Sequence, residues 1–95
     1  MTAQTYQLVM VSAGKGWTAL RFRQTTGETW ECIAGRNGWT WQKVNDPQEL
    51  AAGDYEIRMV SLEGANSVEA IRIERCSGRS WILNRDGWAE IGEPN

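Results

Sequence analysis

The chain has 95 residues, of which 41% are hydrophobic and 23% are charged, the composition of one ordinary globular domain. Its net charge of −2 argues against nucleic acid as a partner, because phosphate binding requires a basic surface. No apolar run approaches the roughly 18 residues that a membrane-spanning helix needs, so we expect no membrane partner either.

Targeting and redox features point to the cytoplasm. The opening stretch, MTAQTYQLVMV, lacks a basic segment followed by a long apolar one, and we therefore expect no secretion signal. Cys32 and Cys76 are the two cysteines, too few for a disulfide framework, which is typical of a reducing compartment.

The sequence repeats itself. Three segments of the first half match three of the second half with offsets of 49 to 51 residues: YQLVMVS (6–12) with YEIRMVS (55–61), ALRFRQTTGETWEC (19–32) with AIRIERCSGRSWIL (70–83), and RNGW (36–39) with RDGW (85–88). We interpret residues 1–95 as a single domain built from two units. The units span 6–44 and 55–93, joined by a linker over 45–54.

Each unit is predicted to hold four short antiparallel strands. Apolar residues alternate with other residues over 6–12, which indicates the first strand, and Leu20 and Phe22 alternate with arginines in the second. The turn QTTGE then fits a three-residue hairpin loop with Gly27 in the left-handed conformation. This register predicts that Phe22 lies opposite Trp30, with the same pairing repeated in the second unit.

The second hairpin of each unit turns at Asn-Gly or Asp-Gly, a strong hairpin signal whose loop length is ambiguous. A two-residue loop would set an apolar residue opposite Lys43, whereas a three-residue loop sets Glu31 opposite Lys43. We prefer the three-residue loop. It predicts that Trp39 and Trp41 lie on the face opposite Trp30, so that the first unit is apolar on both faces.

The linker carries helix signals. Asp46 is placed to cap a helix, Pro47 to occupy its first position, and Glu49 to complete a capping box. Gly53 is placed to end it. We therefore predict one short helix at about 47–52, and the fold class is all-β: two tandem four-stranded antiparallel units with an internal pseudo-twofold repeat and one short linking helix.

Units that are apolar on both faces need neighbours on both sides. Four-stranded units of 40–50 residues stacked face to face are typical of propeller blades, of which a closed ring needs about 4–8. Two blades cannot close a ring. The chain could instead fold as an eight-stranded barrel or a two-sheet sandwich, or form a homo-oligomer.

In strand count, unit length and the late Gly-Trp of each unit (NGW, DGW), the sequence resembles the small two-blade lectins that trimerise into six-bladed propellers. The resemblance implies sugar sites between blades, with Arg21 and Glu31 beside Trp39 or Trp41. In the second unit Ile82 replaces the acidic residue. The TGxxW hairpin also resembles short repeats of uncharacterised bacterial proteins, which implies no activity.

Comparing the units sorts the six tryptophans. Those with a counterpart in the other unit are predicted to be structural: Trp30 with Trp81, and Trp39 with Trp88. Trp17 and Trp41 have no counterpart, and they are the better recognition candidates because aromatic anchors are enriched at binding hot spots. Arg21, predicted opposite Glu31 with Lys43 beyond, forms either a solvated cross-strand ladder or a ligand clamp.

Catalysis has little support in the sequence. The chain has no histidine, which removes the common nucleophile–base pairs and the commonest metal ligand. Cys32 is predicted on the core face as an inert thiol, and Cys76 beside a turn. We find no metal-ligand spacing and no phosphate loop, and we predict no catalytic residue, metal or cofactor.

The sequence therefore predicts a small non-catalytic binding protein that engages a protein partner as an inhibitor or adaptor. The alternative is a carbohydrate-binding lectin with sites between the units of an oligomeric propeller. The candidate binding residues for either function are Trp17, Trp41, Trp39, Arg21 and Glu31.

Overall fold

The computed structural model describes residues 5–14, 16–62 and 67–93, and those residues form eight strands in two antiparallel sheets. Sheet one has strand order β1-β2-β3-β4 and sheet two β5-β6-β7-β8. The strands are β1 (Tyr6–Ala13), β2 (Gly16–Arg23), β3 (Thr29–Gly35), β4 (Gly38–Lys43), β5 (Tyr55–Leu62), β6 (Ser67–Glu74), β7 (Ser80–Asn84) and β8 (Gly87–Ile91). The predicted all-β fold with two similar four-stranded units is confirmed. In the same residues no helix has the length and apolarity to cross a membrane.

The predicted linking helix at 47–52 is wrong, because residues 44–54 form an irregular connection without helical turns. Asp46 does not cap a helix. Its carboxylate instead accepts a hydrogen bond from Arg72 at 2.8 Å. Leu50 packs against the core. Six residues are too few to nucleate a helix cheaply, so these tertiary contacts decide the conformation.

The register of the first hairpin also differs from the prediction. Arg21, not Phe22, lies opposite Trp30. The loop between them has four residues rather than three, and the Gly27 N–H closes it by donating to the Arg23 carbonyl at 2.9 Å. Gly27 does adopt the predicted left-handed conformation, with φ of 79°. A slip of one residue moves every side chain of a strand to the other face, so Trp30 leaves the Phe22 face.

The second hairpin has a two-residue loop over 36–37, whereas both loops considered from the sequence end at Gly38. Gly35 pairs with Gly38, so Glu31 pairs with Gln42 rather than Lys43. Trp41 pairs with a residue two positions after Trp30, and therefore Trp39 and Trp41 share a face with Trp30. The predicted three-residue loop is wrong.

The two sheets pack face to face around one core. Sheet one contributes Leu20 and Phe22, and sheet two contributes aromatic and aliphatic side chains of β5, β7 and β8. The core residues that are less than 5% exposed are Leu20, Phe22, Tyr55, Ile57, Ala70, Trp81 and Trp88. The closest approach between the sheets is at β1 with β5 and β6, and a cleft of about 1010 Å³ lies farther along.

Residues 44 and 45 of the linker join the two sheets by hydrogen bonds. The Val44 N–H donates to the Thr29 carbonyl at 2.9 Å, which extends sheet one by one residue. Asn45 then reaches sheet two: its side-chain amide donates to the Asp86 carbonyl at 2.9 Å, and its own carbonyl accepts the Trp88 N–H at 3.0 Å. The relative position of the sheets is thus fixed by the main chain as well as by the core.

Glu74, at the end of β6, organises the turn that follows. Its carboxylate accepts the main-chain N–H groups of Asp54 at 2.9 Å, Cys76 at 3.2 Å and Ser77 at 2.8 Å. Hydrogen bonds to the ionised form favour it, and they lower the pKa of Glu74 from 4.5 to about 2, the Asp54 N–H contributing most. The ionised carboxylate therefore joins the linker to the β6–β7 turn.

The stacking leaves equivalent faces in opposite environments. In sheet two the face that holds Arg72, Trp81 and Trp88 is buried against sheet one. The equivalent face of sheet one, which holds Arg21, Trp30 and Trp39, points outward. This outward face of sheet one is called the aromatic face below.

Candidate functional site: the aromatic face of sheet one

The aromatic face presents large hydrophobic side chains to solvent. Strand alternation and the observed pairing place them there, since paired residues of neighbouring strands lie on the same side of a sheet. The most exposed are Trp39 (60%), Leu8 (59%), Met10 (52%), Tyr6 (46%), Trp17 (43%) and Trp41 (38%). Monomeric proteins rarely leave so many large apolar side chains together on one surface.

Two tryptophans form a stacked pair at one end of this face. The rings of Trp17 on β2 and Trp39 on β4 lie 4.7 Å apart between centroids, with an angle of 30° between their planes. Ala19, on the same face of β2, is only 2% exposed. The small side chain of Ala19 leaves room for its large neighbours to cover it, and the stack stands as a rigid platform with few rotatable bonds.

Arg21 lies in the middle of the aromatic face, among three rings. Its guanidinium carbon is 4.8 Å from the centroid of Trp30, 5.0 Å from Trp41 and 5.2 Å from Tyr6. Cation–π attraction at these distances stabilises each contact by about 0.5–2 kcal/mol. Among the described residues Arg21 has no hydrogen-bond acceptor, and its Nε is buried. The rings hold the guanidinium in place but satisfy none of its donors.

A second cation lies at the rim beside the β2–β3 turn. The Arg23 Nε donates to the Tyr6 hydroxyl at 2.9 Å, and its Nη1 lies 3.1 Å from Glu28. The hydrogen bond to Tyr6 raises the pKa of Arg23. Lys43 binds the other oxygen of Glu28 at 2.9 Å and, as the main cause, lowers the pKa of that carboxyl. Glu28 therefore stays ionised and clamps the two cations at this edge.

The buried face of sheet two shows what the same arrangement does when it is covered. Arg72, the repeat equivalent of Arg21, lies 4.5 Å from the Trp81 ring centroid and 4.7 Å from Trp88. It is fully buried, and its Nη1 donates to the Gly27 carbonyl at 3.0 Å and to Asp46 at 2.8 Å. The rings around Arg72 form the covered cage of sheet two, and the rings around Arg21 form the open cage of sheet one. In the covered cage the guanidinium donates to a main-chain carbonyl of the neighbouring sheet.

The structure divides the residues predicted to form the site. Trp17, Trp39, Trp41 and Arg21 all lie on the aromatic face, but Glu31 does not. Glu31 pairs with Leu20 and Gln42, so it belongs to the opposite face of sheet one. The predicted pairing of Arg21 with Glu31 is wrong, for the same one-residue slip of the first hairpin. The arginine, acid and tryptophan set implied by the lectin resemblance is not assembled.

Several members of the aromatic face were not predicted. Trp30 was expected to be structural because it has a repeat counterpart, Trp81, and it was not among the candidate binding residues. Trp39 was a candidate, although its counterpart Trp88 indicated a structural role, and it is 60% exposed while Trp88 is 1% exposed. Tyr6, Leu8 and Met10 were expected only as strand residues. The available signal was the repeat itself, since Tyr-Leu-Met on β1 and Tyr-Ile-Met on β5 mark the same side of the two sheets.

The thiols and carboxylates do not form a reactive cluster in the described residues. Cys32 lies half-buried on the aromatic face beside Trp41, not on the core face as predicted, and Cys76 is exposed at a turn. No three acidic, cysteine or histidine residues there come together as metal ligands. Glu28 at the rim is engaged by two cations.

Comparison of the chain with protein-family models, with curated protein sequences and with solved structures finds no match in any of the three. A functional proposal must therefore be argued from the geometry of the aromatic face.

Proposed function

We propose that the protein is a non-catalytic binding protein whose aromatic face docks a protein partner. The observation that carries the proposal is the set of six large hydrophobic side chains, each at least 38% exposed, gathered on one side of sheet one. Tryptophan, tyrosine, methionine and arginine are the residue types enriched in protein interfaces. The two cysteines form no disulfide, which fits a reducing compartment such as the cytoplasm.

Arg21 supports a protein partner in particular. Its position among three rings is already ordered, so binding would cost little further side-chain entropy. Its unpaired donors match the carbonyl oxygens that a polypeptide surface offers, as the contact between Arg72 and the Gly27 carbonyl illustrates. Covering Arg21 without an acceptor would leave a buried charge unsatisfied, which selects partners that supply one.

The charges at the site agree with this kind of partner. The described side chains of the aromatic face include Arg21, Arg23 and Lys43, and the one carboxylate beside them is Glu28 at the rim, which binds Arg23 and Lys43. The cations outnumber the carboxylate. The face therefore favours a partner surface that is apolar at its centre and neutral or acidic at its edges.

Carbohydrate binding is the alternative function. The stacked Trp17 and Trp39 rings would suit the apolar face of a sugar, but the acidic partner expected for such a site, Glu31, lies on the other side of the sheet. A glycan array decides between the two functions. Specific glycan binding that is lost in a folded Trp41→Ala variant would replace the present proposal with a lectin.

Photo-crosslinking in the cells that produce the protein tests the proposal. A benzophenone amino acid is placed at position 39, on the aromatic face, or at position 40, which is exposed on the opposite face of the same strand. We expect protein adducts from position 39 and few from position 40. No protein adduct from position 39, or equal adducts from both positions, would contradict docking on the aromatic face.

A further inference from the structure

Building on the proposed function, we propose that the partner on the aromatic face is a second copy of this chain. The surface that covers it is the outward face of sheet two, and the contact repeats from copy to copy in a head-to-tail manner. If the series of contacts closes on the first copy, the copies form a ring of four-stranded blades. Every sheet face in such a ring is covered by a neighbouring sheet.

The outward face of sheet two, called the aliphatic face below, is also apolar. Its members alternate with the buried residues of β5, β6 and β8, as strand geometry requires. The most exposed are Val60 (55%), Ile71 (43%), Ile91 (42%) and Leu62 (40%). Two bare apolar faces on opposite sides of one small protein are complementary in principle, because each can cover the other.

The internal repeat shows how they fit. Within the chain, the cage face of sheet two covers the face of sheet one that holds Leu20. Leu20 is fully buried, whereas Ile71, its equivalent in sheet two, is 43% exposed on the aliphatic face. On the other face of each sheet, the sheet-two residue is the buried one. Ile57 of sheet two is 4% exposed, whereas its equivalent in sheet one, Leu8 on the aromatic face, is 59% exposed. Ile71 and Leu8 are thus exposed copies of positions that the intrachain interface buries.

One polar contact of the intrachain interface, the hydrogen bond from Arg72 to the main chain of sheet one, has a second set of parts as well. Arg72 donates to the Gly27 carbonyl, which also accepts the Thr29 hydroxyl at 2.9 Å. The equivalent of Gly27 is Gly78, whose carbonyl accepts the Ser80 hydroxyl at 3.0 Å. In the proposed contact the free donors of Arg21 take the Gly78 carbonyl of the second copy.

The space around the two glycines agrees with this assignment. A Cβ on Gly27 would lie 3.0 Å from the Tyr55 ring, because sheet two packs closely there. A Cβ on Gly78 would meet nothing within 4 Å, although the backbone is the same, with φ of 80° against 79°. Tyr6 is the equivalent of Tyr55 and is 46% exposed. In the proposed contact, the Tyr6 ring of one copy would lie over Gly78 of the next copy. The Tyr55 ring lies over Gly27 in the same way within the chain.

The size of the bare surface matches what such an interface needs. The chain exposes 6815 Å², whereas a monomer of 10.7 kDa typically exposes about 5500 Å². The radius of gyration is 14.0 Å, against about 12 Å for a compact domain of this length. Each copy in a ring loses surface on two faces, and a standard interface removes about 800 Å² from each partner. The excess is of this order.

The contact is heterologous, because one copy offers its aromatic face and the next its aliphatic face. Such contacts close into rings when each step turns by a suitable angle. Here the sheets come closest at β1, β5 and β6, as blades do near the axis of a propeller. Propellers contain about 4–8 blades, so a closed ring of this chain holds about two to four copies.

The charges of the two faces are also compatible. Among its described residues the aliphatic face carries Glu56, Glu69 and one cation, Arg58, which lies 3.5 Å from Glu56. The described part of the aromatic face has a net positive charge, because Glu28 at its rim offsets only one of its three cations. Docking of the two faces therefore brings unlike charges together at the edges of an apolar contact, whereas two aromatic faces would repel one another.

Two single-face variants test the proposal. Trp39→Glu places a carboxylate on the aromatic face, opposite the acidic side chains of the aliphatic face, and Ile71→Lys places a cation on the aliphatic face, opposite Arg21 and the cations near it. Thr40→Glu, which lies on neither of these two faces, is the control. Light scattering after size exclusion measures the mass of each. We expect oligomers for the wild type and the control, and monomers for both face variants, with each contact weakened by about 30-fold or more.

Mixing the variants gives the sharpest result. Each retains one intact face of opposite kind, so an equimolar mixture is expected to form one-to-one dimers that cannot grow, which native mass spectrometry resolves when one variant is isotope-labelled. Circular dichroism establishes that the variants are folded. If either is not, Met10→Glu and Val60→Lys, both at positions more than 50% exposed, take their place.

The remaining outcomes separate this inference from the proposed function. A monomeric wild type overturns self-assembly, and a crosslink from position 39 to a different protein then still supports docking on the aromatic face. An oligomer that is lost in Trp39→Glu but kept in Ile71→Lys shows contact between two aromatic faces and overturns the head-to-tail contact. If there is neither an oligomer nor a protein adduct from position 39, the inference and the proposed function fail together.

Discussion

Replacing Arg72 with methionine is expected to lower the free energy of unfolding by about 3–5 kcal/mol, because it removes one partner of a buried ion pair. Arg72 is fully buried, and the Asp46 side chain that binds it at 2.8 Å is 17% exposed. Without the guanidinium, Asp46 would lose its cationic partner in a largely buried site. A domain of 95 residues is stabilised by about 5–14 kcal/mol in total, so this single change would remove a large share of the stability.

Urea unfolding measures the loss, in an Ile71→Lys background so that assembly does not contribute. The matched control is Arg21→Met, the same substitution at the equivalent position. Arg21 has ring contacts but no acceptor among the described residues, and we expect a cost of about 1 kcal/mol. The double variant Arg72→Met/Asp46→Asn is expected to lose less than the sum of its two single changes, because the unpaired charge is gone.

The reasoning would be refuted by a loss below about 1 kcal/mol for Arg72→Met, or by equal losses for Arg72→Met and Arg21→Met. Either result would mean that the covered cage of sheet two and the open cage of sheet one do not differ as their contacts indicate.

Three further predictions concern the glycines, one carboxylate and the thiols. Gly87→Ala should lower the urea midpoint more than Gly38→Ala; both glycines have φ near +115 to +119°, but only at Gly87 would a Cβ strike the linker backbone. Equal losses would contradict this close contact. The pKa of Glu74 is lowered to about 2, so the stability that its carboxylate provides is present above about pH 4.5 and lost as the pH falls toward 2. Glu74→Gln should flatten this decline of stability with pH. An unchanged pH profile in that variant would contradict the prediction. Cys76 is exposed and should react with a maleimide at once, whereas Cys32 on the aromatic face should be protected in the assembly and become reactive in the face variants. Equal reactivity of Cys32 in all forms would contradict coverage of that face.

The strands and the repeat could be predicted from the sequence because both depend on local patterns. Leu20 and Phe22 alternate with arginines, and the Asn-Gly and Asp-Gly turns recur at a fixed offset. The left-handed Gly27 was predicted for a similar reason, since the chemistry of a hairpin turn is local.

The registers could not be predicted in the same way. Loops of three and four residues both fit the stretch that ends in Gly27, and one residue of slip decides whether Trp30 faces Phe22 or Arg21. The linker presented helix signals, but Asp46 binds Arg72 across the core, a contact 26 residues away in sequence. Such long-range contacts outweigh weak local preferences.

The composition of the candidate site could be predicted in part. Trp17, Trp41, Trp39 and Arg21 were identified and lie together, but Glu31 was assigned to the wrong face. The presence of a residue in both units was taken to mean a structural role. That inference fails where one sheet is covered and the other is not, because the same residue type is then buried in one unit and exposed in the other.

The solution mass of the wild-type protein tests the central claim most directly. Light scattering behind size exclusion, repeated over a hundredfold range of concentration, should give one defined species between two and four times 10.7 kDa. That result would mean that the aromatic and aliphatic faces cover each other in a closed ring. A mass of 10.7 kDa at every concentration would contradict the ring, and a mass that grows without limit would show head-to-tail contact that does not close.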